Sequence, residues 1–175
     1  MNDEEKPKKK ILVLGDYGVG KTSLIKQCVN EDFDDQYLTT LGVNIALKDI
    51  SIRFGGEKAD VDVKLELWDI AGNKSIADVK RDFYKNGEGA IIVTDLSKEE
   101  NIDKCENWIK ATYQIIGEIP FIFVGNKYDL ISKEDLNMEK IQMISSKYNV
   151  PFILASAKFG DNANEAFHEI AERVS

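Results

Sequence analysis

One short stretch combines glycines, a lysine and a hydroxyl in an order that suits phosphate binding. Gly15-Asp16-Tyr17-Gly18-Val19-Gly20-Lys21-Thr22 follows the apolar run Ile11 to Leu14 and leads into Leu24, Ile25, Cys28 and Val29, which have helical spacing. In a strand–glycine loop–helix context, a tightly folded backbone turns its N–H groups inward onto phosphate oxygens. The positive end of the helix dipole adds to that attraction. Lys21 is expected to reach the outer phosphates, and the Thr22 hydroxyl to coordinate magnesium. Contacts to a nucleotide are therefore expected from Gly15, Tyr17, Gly18, Val19, Gly20, Lys21, Thr22 and Ser23.

Three further groups carry matching chemistry. Asp69-Ile70-Ala71-Gly72 closes an alternating apolar run. A carboxylate there suits a magnesium-bound water, and Gly72 exposes an N–H to a terminal phosphate oxygen. Asn126-Lys127-Tyr128-Asp129 follows the run Phe121 to Val124. Asp129 can accept two hydrogen bonds from N1–H and the amino group of guanine, whereas adenine, with no N1 proton, would leave the acid unpaired. The Lys127 stem can lie over the base plane. Ser156-Ala157-Lys158 can offer a backbone N–H to the guanine oxygen.

Positioning these groups on one rim requires a particular architecture. Alternation at Val43, Ile45 and Leu47 slips at Asp49-Ile50 and resumes through Ile52 and Phe54, which predicts a bulge. A turn at Gly55-Gly56 and alternation at Val61, Val63, Leu65 and Leu67 complete a β-hairpin. The polar stretch to about Lys85 is expected to hold a short helix. Ala90 to Val93, Phe121 to Val124 and Phe152 to Ala155 read as buried parallel strands. Helical spacing marks segments around Ile102–Ile116, Met138–Tyr148 and Ala163–Val174. Alternating strands and helices imply a mostly parallel sheet covered on both faces, with ligands beyond the carboxyl ends of the strands.

The 175 residues fit one domain. We divide them into a polar, solvated tail over 1–10, ending in Lys8-Lys9-Lys10, and a nucleotide-binding domain over 11–175. A net charge of −8 argues against nucleic-acid binding, which needs a basic face. Cys28 and Cys105 stand singly in helical patterns and read as buried small apolar residues in a reducing compartment. No apolar stretch approaches the length of a membrane span.

On these motifs the chain resembles the Ras superfamily of small GTPases over nearly its whole length. The resemblance implies a P-loop α/β fold, a six-stranded, mostly parallel sheet with one antiparallel edge strand, flanked by five helices. It implies GTP or GDP and magnesium as ligands, the metal held through Thr22, Thr40 and Asp69. Thr40 corresponds to the first-switch threonine that binds magnesium only when the terminal phosphate is present. Phe33 matches the ring that stacks on the guanine edge, and Tyr37 the tyrosine that covers the phosphates. Lys64 to Trp68 and Leu41 to Ile45 look like Rab proteins, whereas Asn86 to Ala90 looks more like Ras. Ile45, Trp68 and Phe83 stand where Rabs carry three hydrophobic effector-contact residues, although Ile45 replaces a usual phenylalanine.

The implied activity is a molecular switch in intracellular trafficking or signalling, hydrolysing GTP slowly through Lys21, Thr40, Gly72 and Asn73. Asn73 departs from the family, which has a water-orienting glutamine there. Tyr17 replaces a residue that is glycine in Ras. The competing reading is a GTP-binding scaffold that does not hydrolyse, and Asn73 favours it. The expected partners are an exchange factor, an activating protein and effectors, through residues 33–45 and 68–85. The chain is expected to be a cytoplasmic monomer. No cysteine lies near Ser175, so prenylation and membrane contact find support only if a tail is missing.

Overall fold

The computed structural model describes residues 6–29, 42–53, 55, 60–70 and 79–175, together with the backbone of 36–38. In chain order the elements are β1 (Lys8–Leu14), α1 (Lys21–Cys28), β2 (Gln36–Leu38), β3 (Val43–Ile52), β4 (Val61–Ile70) and α2 (Arg81–Tyr84). They continue with β5 (Gly89–Asp95), α3 (Glu100–Ile116), β6 (Phe121–Asn126), α4 (Met138–Tyr148), β7 (Phe152–Leu154) and α5 (Ala163–Val174). The sheet order is β2-β3-β4-β1-β5-β6-β7.

Among the described residues the six expected strands are present and mostly parallel, with five α-helices around them. β2 adds a seventh strand of three residues. Because β2 pairs outside it, the antiparallel strand β3 lies one place in from the edge.

The sheet is buried on both faces. Ile11, Val13, Ile91, Val93, Ile122 and Val124 point to α1 and α5, where Leu24, Ile25, Phe167 and Ile170 meet them. Leu12, Leu14, Ala90, Ile92, Phe121 and Phe123 point the other way, to Tyr84 of α2, Ile102, Trp108 and Ile109 of α3, and Ile141 and Ile144 of α4. This two-sided burial explains why β5 and β6 read as continuous apolar runs. Cys28 and Cys105 are free and buried, and burial raises their thiol pKa to about 11 and about 12. No helix among the described residues is long and apolar enough to cross a membrane.

Two expectations need correction. The predicted bulge at Asp49-Ile50 is absent: β3 pairs with β4 in unbroken register from Val43↔Ile70 to Ile52↔Val61. The apolar phase changes because the covered face changes. Val43 packs on the α2–α3–α4 side, and Ala46, Ile50 and Ile52 on the α1–α5 side. Lys8, Lys9 and Lys10, expected in a solvated tail, are the first residues of β1 and pair with Lys64, Leu65 and Glu66 of β4. Their charges are managed locally. Lys9 lies 2.9 Å from Glu88, and Lys10 sits 3.5 Å over the centre of the Trp68 ring.

Candidate nucleotide site

All four described clusters follow strand ends and meet at one rim: the loop after β1, Asp69 near the end of β4, the loop after β6 and the loop after β7. Adjacent parallel strands bring them together, with Val13 of β1 opposite Asp69 of β4 and Asp95 of β5 opposite Asn126 of β6.

The loop after β1 is built for close backbone approach. Gly15 has φ +148°, and a Cβ there would stand 2.2 Å from the Val93 carbonyl oxygen. Gly20, at φ +98°, precedes α1, and a Cβ there would stand 2.2 Å from Asn126 Nδ2. Among the described residues no side chain caps α1, and its first turn contains no acid. The first N–H groups and the positive helix end are therefore left for an anion. Gly18 also has positive φ, and Tyr17 beside it is 76% exposed. Ser23 lies one residue beyond Thr22 and lines the adjoining cavity.

Lys21 is buried, and its ammonium donates to the carbonyl oxygens of Gly15 at 2.8 Å and Asp16 at 3.0 Å. Burial pulls its pKa below the usual lysine value, against the influence of Asp69 and Asp16. A buried ammonium hydrogen-bonded to neutral carbonyls is well suited to receive a phosphate anion. Nearby, Thr22 Oγ1 donates to Asp69 Oδ2 at 2.5 Å. The other carboxylate oxygen, Asp69 Oδ1, is buried with no hydrogen-bond partner among the described residues. A hydroxyl beside a carboxylate with a spare oxygen is a hard oxygen donor set of the kind magnesium takes beside phosphates. The residues present therefore fit that ion and the nucleotide phosphates.

A cavity of about 680 Å³ adjoins this loop, lined by Gly20, Ser23, Lys26, Gln27, Asn126, Lys127, Asp129, Leu130, Ala157 and Lys158. Asn126 joins its walls: Nδ2 donates to the Val19 carbonyl at 2.9 Å, and Oδ1 accepts from the Ala157 N–H at 2.9 Å. Ser156 Oγ donates to Asp129 Oδ1 at 2.6 Å, which orients the carboxylate. Lys127 has left-handed φ of +63°, and its ammonium lies 2.7 Å from Asp95 Oδ2. The Ser97 N–H and hydroxyl hold the other oxygen of Asp95. Burial pushes the Asp95 pKa up, but the bonds from Lys127 and Ser97 outweigh it and hold it below the usual carboxylate value.

Of the predicted site residues, Gly15, Tyr17, Gly18, Val19, Gly20, Lys21, Thr22, Ser23, Asp69, Asn126, Lys127, Asp129, Ser156, Ala157 and Lys158 are gathered at this rim. Phe33, Thr40, Gly72 and Asn73 lie outside the described residues, as does the side chain of Tyr37. Ile45 and Trp68 face each other across β3 and β4, and both they and Phe83 are half-buried against the α2–α3–α4 core. Sequence reasoning missed Asp95. It ends a parallel strand, as Asn126 does, and that position at a strand's carboxyl end was the available signal.

Residues 10–175 match the sequence model of the Ras family. The chain is 32% identical over 166 residues to Ras-related protein SEC4 of Candida albicans, covering 94% of this chain and 76% of that protein. It is 34% identical over 176 residues to Ras-related protein Rab-18-B of Danio rerio, covering 99% and 82%. Ras-related protein rab-39 of Caenorhabditis elegans is 32% identical over 170 residues, covering 94% and 72%. With the glycine loop and the cavity beside Asn126 and Asp129 meeting at one rim of a doubly covered sheet, the chain belongs to the Ras family of small GTPases and is Rab-like within it.

Proposed function

We propose that this small GTPase binds GTP and GDP with magnesium, hydrolyses GTP slowly, and signals by loop conformation. The observation that carries the reading is the cavity shared by Gly20 of the phosphate loop and Asp129 of the base loop. It joins a phosphate cradle to a guanine-selective carboxylate.

In this proposal Asp129 accepts from the guanine edge while the Lys127 stem, held at its tip by Asp95, covers the base plane. The N–H groups at the start of α1 and the Lys21 ammonium take the phosphate oxygens. Thr22 and Asp69 hold magnesium, Asp69 through a bound water. Bound magnesium would neutralise phosphate charge and orient the outer phosphates. Thr40 and the Gly72 N–H hold the terminal phosphate, and losing it releases both loops. Asn73 orients the attacking water less well than a glutamine would, so hydrolysis is slow without an activating protein.

Exchange factor, activating protein and effectors act through residues 33–45 and 68–85, on a monomer in the cytoplasm, in trafficking or signalling. The second reading, a scaffold that binds GTP without turning it over, is favoured by Asn73 and by the exposed Tyr17 ring beside the phosphate loop. Mass spectrometry of nucleotide released from the purified protein, followed by a single-turnover time course, tests both readings. Guanine nucleotide with measurable GDP formation supports the switch. Guanine nucleotide with no turnover supports the scaffold, and adenine nucleotide contradicts both.

A further inference from the structure

The phosphate loop is also held from a helix that none of the nucleotide motifs includes. Trp108 of α3 donates its indole N–H to Asp16 Oδ1 at 2.9 Å. Lys104, one turn earlier, brings its ammonium to 3.9 Å from Asp16 Oδ2. Their four-residue separation puts both on one face of α3. The main-chain oxygen of Asp16 accepts from Lys21 Nζ at 3.0 Å. Asp16 is thus gripped at its side chain by α3 and at its carbonyl by the phosphate-binding lysine.

The two contacts from α3 differ in strength. Trp108 is only 3% exposed and packs in the α2–α3–α4 core. An indole N–H is a donor only, so once buried it needs an acceptor, and Asp16 supplies a charged one. A hydrogen bond to a charged group is stronger than a neutral one. The Lys104 pair is long, with side chains 49% and 39% exposed, and pairs of that kind contribute little.

We propose that Trp108 is a positioning residue for the phosphate loop. Through Asp16 it fixes the carbonyl that holds Lys21, and so slows nucleotide release. It also keeps the Asp16 carboxylate turned to α3, where its negative charge does not face the phosphates. The inference rests on the guanine-nucleotide reading and adds a residue 92 positions away in sequence from the loop residue it holds.

The test is a double-mutant cycle on the release rate of a fluorescent GDP analogue, with thermal unfolding measured alongside. Trp108→Phe keeps an aromatic ring and removes the N–H, and Asp16→Ala removes the acceptor. Each single variant should release nucleotide roughly five- to tenfold faster. The double variant should be no faster than the faster single one, because both remove the same bond. Lys104→Ala should change the rate less than about twofold. Unchanged release in both single variants, or rate effects that multiply in the double, would overturn the proposal. A merely structural Trp108 would lower the unfolding midpoint without changing release, which also overturns it. Should Trp108→Phe fail to fold, Asp16→Ala in its partly exposed loop decides alone: faster release at an unchanged midpoint supports the proposal, and unchanged release refutes it. Wild-type protein that retains no guanine nucleotide would instead overturn the underlying functional reading.

Discussion

Thr22 and Asp69 are 47 residues apart in sequence, yet the Thr22 hydroxyl lies 2.5 Å from Asp69 Oδ2. The contact follows from topology. β1 and β4 are adjacent and parallel, so Asp69, near the carboxyl end of β4, and the loop that follows β1 share an edge of the sheet. The hydroxyl belongs to the first turn of α1, which the glycine loop turns back over that edge.

Asp69→Asn keeps the size of the side chain and removes its charge. The variant should lose most of the magnesium-dependent retention of GDP, a weakening of roughly 10- to 100-fold in metal affinity. Titrating magnesium against GDP release checks this. Retention that depends on magnesium as steeply as in the wild type would remove Asp69 from the metal site.

Lys127 and Asp95 form an ion pair at the rim, 2.7 Å apart. Asp95→Asn should weaken binding of guanine and hypoxanthine nucleotides alike, by about tenfold, because the proposed place of the Lys127 stem is over the base plane rather than at its edge. The pair also sets a pH dependence. The folded Asp95 pKa lies below its ordinary 3.8, so the stabilisation is complete above that value. It is lost as pH falls through the lower folded pKa. The unfolding-midpoint gap between wild type and Asp95→Asn should therefore be full at neutral pH and close in strong acid.

Much of this organisation was legible from residue types. The glycine loop, Asp69, the Asn126–Asp129 loop and Ser156–Lys158 each follow a strand, and the carboxyl-end rule alone predicts that they converge. Register was harder to read. The alternation in β3 shifts where the strand's covered face changes, and a one-dimensional pattern cannot distinguish that from an inserted residue. Lys8 to Lys10 failed for a related reason. A strand that extends beyond the core carries charged residues, and its pairing is decided by β4 rather than by local hydrophobicity. Asp95 and Trp108 escaped notice because their roles depend on partners 32 and 92 residues away.

Thr40→Ala should erode the difference between the GTP and GDP states more than it weakens GDP binding, since its proposed metal contact exists only with the terminal phosphate. Hydrogen exchange over residues 33–45 reads this directly. Protection should rise with a non-hydrolysable GTP analogue in the wild type and stay flat in the variant. Equal protection in both nucleotide states of the wild type would contradict a switch.

Asn73 has the amide of glutamine with one methylene less, so it reaches about 1.5 Å less far. A displacement of about 1 Å can cost about a hundredfold in rate, so Asn73→Gln should raise single-turnover hydrolysis severalfold at saturating magnesium. An unchanged or lower rate would place the limit elsewhere, with the ring of Tyr17 the next candidate.

The most direct test of the central claim is competition for a bound fluorescent GDP at fixed magnesium. GTP and GDP should displace it at stoichiometric concentrations, while ATP and ADP should fail even in hundredfold excess, because adenine has no N1–H to donate to the Asp129 carboxylate. Asp129→Asn should transfer that preference to xanthine nucleotides, whose base carbonyl can accept from the new amide. Displacement by ATP at concentrations comparable to GTP would contradict the account.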